Sequence, residues 1–262
     1  MEKNQFSLIK DSVADVLNNF GMKREGRSVL RDSLQEATRI EQIANAVGDN
    51  LIAGRPLKLL EIGIGSSMVT SSLRNLYTPM QLSIDAMEHP NVHVLKEQRF
   101  VDHLKATQVN LIPADLCFAP WPIADASYDM VIFSETVEHL PPTIVPDVLR
   151  EIGRVLRPGG SLFVSTPNLA AWQYRWKLFR GKKIFDQAIP LPWAGGTYAH
   201  IRLYTPQEIA ELLVLFGMKS YSVKYLEFGF LNRAFTTRVF YSLVYKILPA
   251  LAPEFVMCAR KE

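Results

Sequence analysis

The stretch Glu61-Ile62-Gly63-Ile64-Gly65-Ser66-Ser67 sets two glycines one residue apart, directly after the apolar run Leu59 to Ile62. An apolar run of that length reads as a buried strand. Glycines let the backbone turn sharply and approach a ligand closely. The free N–H groups of a helix starting after them favour anionic groups. Downstream lie further residues able to do chemistry: Asp85, Asp115 beside Leu116, Ser134 to His139, and His200 with Arg202 and Tyr204. Asp85 stands about 20 residues beyond the glycines, where one carboxylate can accept both hydroxyls of a ribose. Glu88 is the alternative for that role, and an N-cap is another use of Asp85. Asp115 can accept a bond from an exocyclic adenine amine, with Leu116 offering apolar contact to the ring; a plain loop aspartate is the competing reading. His139 has an unperturbed pKa suited to a general base, with Glu138 and His139 as a simple loop fixture the competing reading.

The spacing narrows the ligand. A dinucleotide fingerprint needs a third glycine three residues after the second. Met68 stands there, which disfavours a nicotinamide or flavin enzyme. Acid-x-Gly-x-Gly-x-Gly fits better, with Ser67 in place of the last glycine. Three further stretches point the same way. Pro120-Trp121-Pro122 is followed by Tyr128-Asp129 opening a strand. Glu138-His139 closes the loop after that strand, and Arg154-Val155-Leu156-Arg157-Pro158-Gly159-Gly160 precedes the next one. From Leu59 to Asn168 the chain resembles the class I S-adenosylmethionine-dependent methyltransferases of the small-molecule type. The resemblance implies S-adenosyl-L-methionine as cofactor, with contacts from Glu61, Gly63, Ile64, Gly65, Asp85, Ala86, Asp115, Leu116 and Ser134. It implies His139 and His200 as catalytic candidates, and Arg202, Tyr204 and Trp172 on the acceptor side.

These residues need a scaffold that brings distant segments to one edge. Apolar runs at 80–85, 109–112, 130–133, 161–165, 219–228 and 255–259 read as strands that follow the first one. Helical periodicity separates most of them. The expected fold is α/β and doubly wound, with a mainly parallel seven-stranded sheet and helices on both faces. Ligands then sit beyond the carboxyl ends of the strands. Residues 1–56 read as an N-terminal helical cap, or else a lid, ahead of a methyltransferase domain over 57–262. Residues 169–205 read as an insertion after the fifth strand, rich in Trp, Tyr, Arg and Lys, that forms an acceptor wall. Anchoring the loop is the other use of His200 and Arg202. Residues 231–248 suit a helix between the last two strands, or one lying on a membrane surface.

Composition sets the remaining bounds. At 262 residues with 48% apolar content the chain can bury a sizeable core. A net charge of +3 is too mild to indicate nucleic acid. The absence of an Asn/Asp-Pro-Pro-aromatic motif argues against methylation of base amines, so no nucleic-acid partner is expected. Cys117 and Cys258 form no C-x-x-C pair, and no metal site or disulfide is expected. No apolar run reaches membrane-span length. A cytoplasmic protein, with or without peripheral membrane association, is the expectation. The expected activity is O- or N-methylation of a small-molecule, glycan-linked or lipid-like acceptor. A non-catalytic cofactor- or lipid-binding protein of the same fold is the competing reading.

Overall fold

The structure, a computed structural model, describes residues 2–20, 29–185, 200–227, 241 and 243–262. Seven strands form one sheet in the order β3-β2-β1-β4-β5-β7-β6. They are β1 (Leu57–Ile62), β2 (Leu82–Glu88), β3 (Val109–Pro113), β4 (Tyr128–Ser134), β5 (Leu156–Pro167), β6 (Met218–Leu226) and β7 (Glu254–Lys261). Strands β1 to β5 are parallel, whereas β7 runs antiparallel to both β5 and β6. The expected doubly wound α/β sheet is therefore present, with an antiparallel end.

The strands are apolar on both faces because both faces are covered. Leu57, Leu59, Ile84, Met130, Ile132, Phe163 and Val256 join one core. Their neighbours Leu60, Ile62, Val131, Phe133, Leu162, Val164 and Met257 join the other. The period of two along each strand assigns each side chain to its face. The first face is covered by α1 (Glu2–Asn19), α2 (Val29–Asp49), α3 (Met68–Leu76) and α4 (Gln98–Ala106). The second is covered by α5 (Val145–Val155) and α7 (Pro206–Val214). Ile9 and Val13 of α1 and Ile40, Ile43 and Val47 of α2 are fully buried in the same core as the strands. The N-terminal helices thus share the sheet's core instead of forming one of their own.

Of the strand boundaries that differ from the sequence reading, two bear on the site. β2 does not stop at Asp85: Ala86 and Met87 continue the ladder against Glu61 and Ile62, and β3 pairs as far as Glu88. In β5, Arg157 to Gly160 bulge out of the ladder, which resumes at Ser161 opposite Met130. Within the insertion, Trp172–Phe179 form a helix, α6, where the sequence showed only a break in rhythm. Residues 186–199 of that insertion lie outside the described residues. So do 231–240 and 242 of the expected helix 231–248, although 243–247 are helical. Among the described residues no helix is long and apolar enough to cross a membrane.

Candidate active site

The parallel strands end at Ile62, Glu88, Pro113, Ser134 and Pro167, and β7 begins beside the last of these at Glu254. Loops from six strands therefore meet at one edge. The glycine turn lies there between β1 and α3. Gly63 has φ +78° and Gly65 φ +52°. A Cβ on Gly63 would stand 2.7 Å from Thr136 Oγ1, whereas one on Gly65 would meet open space. The first glycine is thus required by packing against the loop after β4. The second leaves room for a ligand. Ser67 is also left-handed, at φ +65°, so the position of the missing third glycine still carries the conformation that favours glycine.

Glu88, the last residue of β2, faces this turn. Its Oε2 accepts the Gly65 amide at 3.0 Å and its Oε1 accepts the His89 amide at 2.8 Å. Burial raises its pKa, and the two amide bonds partly oppose that. Each oxygen keeps a further lone pair. Glu61 lies beneath the turn, 3% exposed. It accepts the Thr70 amide in the first turn of α3, whose N-cap Ser67 makes no side-chain cap. Its other oxygen, Oε2, is buried without a hydrogen-bond partner among the described residues. Burial, then the charge of Glu88, pushes its pKa well up.

Asp85 is not at this edge. It sits mid-strand opposite Leu60, with Oδ2 accepting the Tyr128 hydroxyl at 2.6 Å and Oδ1 accepting Asn110 Nδ2 at 3.2 Å. The strand-end placement read from the sequence is corrected: three more residues of ladder carry the chain past Asp85. Ala86 and Ile64 have their side chains in the core. Asp115 follows β3, its Oδ1 accepting the Cys117 amide at 2.9 Å and its Oδ2 lying 3.4 Å from His89 Nε2. That contact links the loop after β3 to the end of β2. Leu116 packs at the margin of the second core.

Ser134 ends β4, its hydroxyl 2.7 Å from that of Ser165. A 3-10 turn at Val137–His139 follows. Glu138 is fully buried, and its Oε2 accepts the Thr166 hydroxyl at 2.9 Å. Its carbonyl accepts the amides of Ile201 at 2.7 Å and Arg202 at 3.2 Å. Those two bonds bring residues some sixty positions apart into contact, and the rings of His139 and His200 meet edge to face at 5.1 Å between centroids. The two candidate catalytic histidines are therefore neighbours.

The acceptor-side candidates separate. Arg202 Nη2 donates to Glu208 Oε1 at 2.8 Å, and its guanidinium lies 4.9 Å from the Tyr204 ring centre. Glu208 also closes a capping box with Thr205 at the start of α7. Tyr204 is 2% exposed, in the second core. Trp172 opens α6 and stacks on Trp176 at 6.3 Å. The quoted sequence hallmarks also divide. Arg154 and Arg157 bind Asp125, Glu151 and Asp129, and Arg55 joins Arg157 on Asp129. Asp129 and Tyr128 start β4, so that network braces the amino edge, away from the glycine turn.

Sequence reasoning named Glu88 only as an alternative and missed Thr136, as well as Arg39 of α2, which is buried and pairs with Glu254 at the start of β7 at 2.7 Å and with Glu135 at 3.4 Å. His89-Pro90 after Glu88 was a usable signal, because proline cannot continue a paired strand. Nothing distinguishes Arg39 from the other charges of α2 in the sequence.

Comparison with known proteins agrees with this geometry. A family model described as a methyltransferase domain matches residues 22–223. A ubiquinone biosynthesis O-methyltransferase of Mesorhizobium japonicum is 29% identical over 66% of this chain and 65% of its own. One from Paraburkholderia phytofirmans is 25% identical over 70% of this chain and 73% of its own. The chain spans less than two thirds of the length of the first of these relatives. Among solved structures, a SAM-dependent methyltransferase from Archaeoglobus fulgidus superposes with a TM-score of 0.53 at 13% identity, covering 87% of this chain and 98% of that one. The 1,6-didemethyltoxoflavin-N1-methyltransferase of Burkholderia thailandensis, solved with S-adenosylhomocysteine, gives 0.54 at 14% identity, covering 97% and 88%. The glycine turn at a parallel-sheet edge and the match over most of the chain lead to one conclusion: the chain belongs to the methyltransferase-domain family, within the class I S-adenosylmethionine-dependent methyltransferases.

Proposed function

We propose that the protein methylates a hydroxyl of a small acceptor, with the cofactor at the Gly63–Gly65 turn and the acceptor presented at His139 and His200. The observation that carries this reading is the contact of the two imidazoles at the edge where the glycine turn lies. S-adenosylmethionine, when bound, supplies a methyl group already activated on a sulfonium. The chain's residues fit that group. Glu61 Oε2, buried without a hydrogen-bond partner among the described residues, favours a cationic ligand nearby. Gly65 leaves space beside its Cα, and Glu88 retains acceptor capacity for ribose hydroxyls. Asp115 and Leu116 serve the adenine, and Ser134 stands at the end of β4 on the same sheet edge.

The protein's own contribution is placement and proton handling. Holding acceptor and cofactor in line is chiefly a proximity effect. The imidazole pair marks where the acceptor hydroxyl is held and loses its proton, because neutral imidazole both accepts and donates hydrogen bonds. The relatives named for O-methylation in ubiquinone biosynthesis favour a phenolic, quinone-precursor type of hydroxyl over an amine or a glycan. Arg202 and Tyr204 have partners of their own and are assigned to the scaffold of this loop.

The test is a release assay for S-adenosylhomocysteine against catechols, prenylated phenols, free sugars and amines. Turnover with phenolic acceptors, lost in His139→Ala with cofactor affinity retained, supports the reading. Methylation confined to amines, or wild-type turnover in His139→Ala, rejects it.

A further inference from the structure

We propose that His103 of α4 is a positioning residue for the glycine turn: through Ser71 it holds Ser67 in the left-handed conformation with which the turn passes into α3. This deepens the reading above and rests on it for the place of the cofactor. Ser67 stands where the family pattern has its third glycine. Its φ of +65° is one that glycine adopts at no steric cost and serine does not. Such a residue persists only where its surroundings over-determine it. A chain of hydrogen bonds does so here. Ser67 Oγ lies 3.1 Å from Ser71 Oγ, one helical turn on, and Ser71 Oγ lies 2.8 Å from His103 Nε2.

That chain takes the place of the cap a serine usually makes. Ser67 is the N-cap of α3, yet its side chain makes no capping bond to the first turn. The Thr70 amide, which such a cap would satisfy, goes to the carboxylate of Glu61 instead. The Ser67 hydroxyl is left for Ser71. The Ser67 backbone is tied on both sides, its amide donating to the Ile64 carbonyl at 2.8 Å and its carbonyl accepting the Ser71 amide at 2.9 Å. A change of conformation at Ser67 would therefore disturb the turn behind it and the first turn of α3 ahead of it. Ser67 is 0% exposed and Ser71 5%, so both hydroxyls are shut away from bulk water.

His103 is itself held in place. Its ring lies 5.1 Å from that of Phe20, just after α1, and its carbonyl accepts the Thr107 amide at the end of α4 at 2.9 Å. Burial lowers its pKa against the opposing charge of Asp15 on α1, which favours the neutral ring. A neutral ring has one donor and one acceptor nitrogen. Nε2 and the two hydroxyls thus form one directed chain in either tautomer, and losing the imidazole removes the outer partner of Ser71. His103 acts through the two serines and not by contact with the ligand. If Ser67 leaves the left-handed state, only a fraction of molecules present the formed turn, and the apparent cofactor affinity falls by that fraction.

The test is calorimetric titration of the full chain with S-adenosylhomocysteine, with thermal melts on the same samples. His103→Ala and Ser71→Ala should each weaken binding about two- to tenfold, as expected for one lost hydrogen bond. Ser67→Gly removes the need for the chain. In that background His103→Ala should change the affinity by less than about twofold. Ser71→Ala carries the test if His103→Ala fails to fold. Unchanged affinity in His103→Ala with a lowered melting temperature overturns the proposal, because that is what a merely structural histidine gives. So does a loss of affinity that persists in full in the Ser67→Gly background. Either result, with the wild type binding S-adenosylhomocysteine, rejects the positioning role alone. A wild type that binds none rejects the cofactor reading and this inference with it.

Discussion

Glu88 accepts the amide of Gly65 at 3.0 Å, joining the end of β2 to the glycine turn after β1. That bond fixes the carboxylate at the sheet edge, facing the open space beside Gly65. Glu88→Ala should weaken S-adenosylmethionine binding by about 1–3 kcal/mol, because a charge-assisted bond is lost. Asp85→Asn should leave the affinity unchanged and lower the melting temperature, since its partners are Tyr128 and Asn110. Calorimetry on both variants decides the assignment. Weakened binding in Asp85→Asn alone would return the role to Asp85.

The two glycines should fail differently. In Gly63→Ala the new Cβ meets Thr136 Oγ1 at 2.7 Å in a left-handed backbone. The backbone cost alone is about 1–2 kcal/mol, and the clash adds to it. Stability should fall, and Thr136→Ala in the same chain should restore part of it. Gly65→Ala pays the backbone cost without a clash, yet its Cβ points into the open space proposed for the cofactor. Its fractional loss of cofactor affinity should exceed its loss of stability. Thermal melts and calorimetry on the same variants separate the two.

Arg202 should behave as an anchor. Its pair with Glu208 is exposed, so Arg202→Ala should cost no more than roughly 0.2–1 kcal/mol. Acceptor KM should stay at the wild-type value. A raised KM with an unchanged melting temperature would place Arg202 in the acceptor pocket instead.

Asp129 gives the fold an acid-sensitive joint. Burial would raise its pKa, but hydrogen bonds from Arg55, Arg157 and the Lys58 amide outweigh that and hold it well below the usual carboxylate range. A depressed folded value means stability that is present above the unfolded pKa of about 3.9 and lost as pH falls below it. The melting temperature of the wild type should therefore drop as pH falls below about 4. Asp129→Asn should melt lower at neutral pH and lose less on acidification. Parallel pH slopes for the two proteins would show that another group controls the acid limb.

The residue pattern by itself determined the class of the fold and the glycine turn after β1. Apolar runs of strand length, helical periodicity between them and Gly63-Ile64-Gly65 are local signals, and each is expressed within one element. The final strand was readable for the same reason. What the tertiary structure alone decided is which residues meet. Asp85 and Glu88 are both acids on one apolar strand, and only the ladder to β1 and β3 shows that the strand runs on to Glu88. Arg157 reads only as part of a stretch that precedes a strand, and the fold alone shows that it pairs with Asp129 at the start of β4. Glu138, His139 and His200 converge because the Glu138 carbonyl accepts the Ile201 and Arg202 amides. Backbone bonds of that kind carry no side-chain signature, so no spacing in the chain announces them.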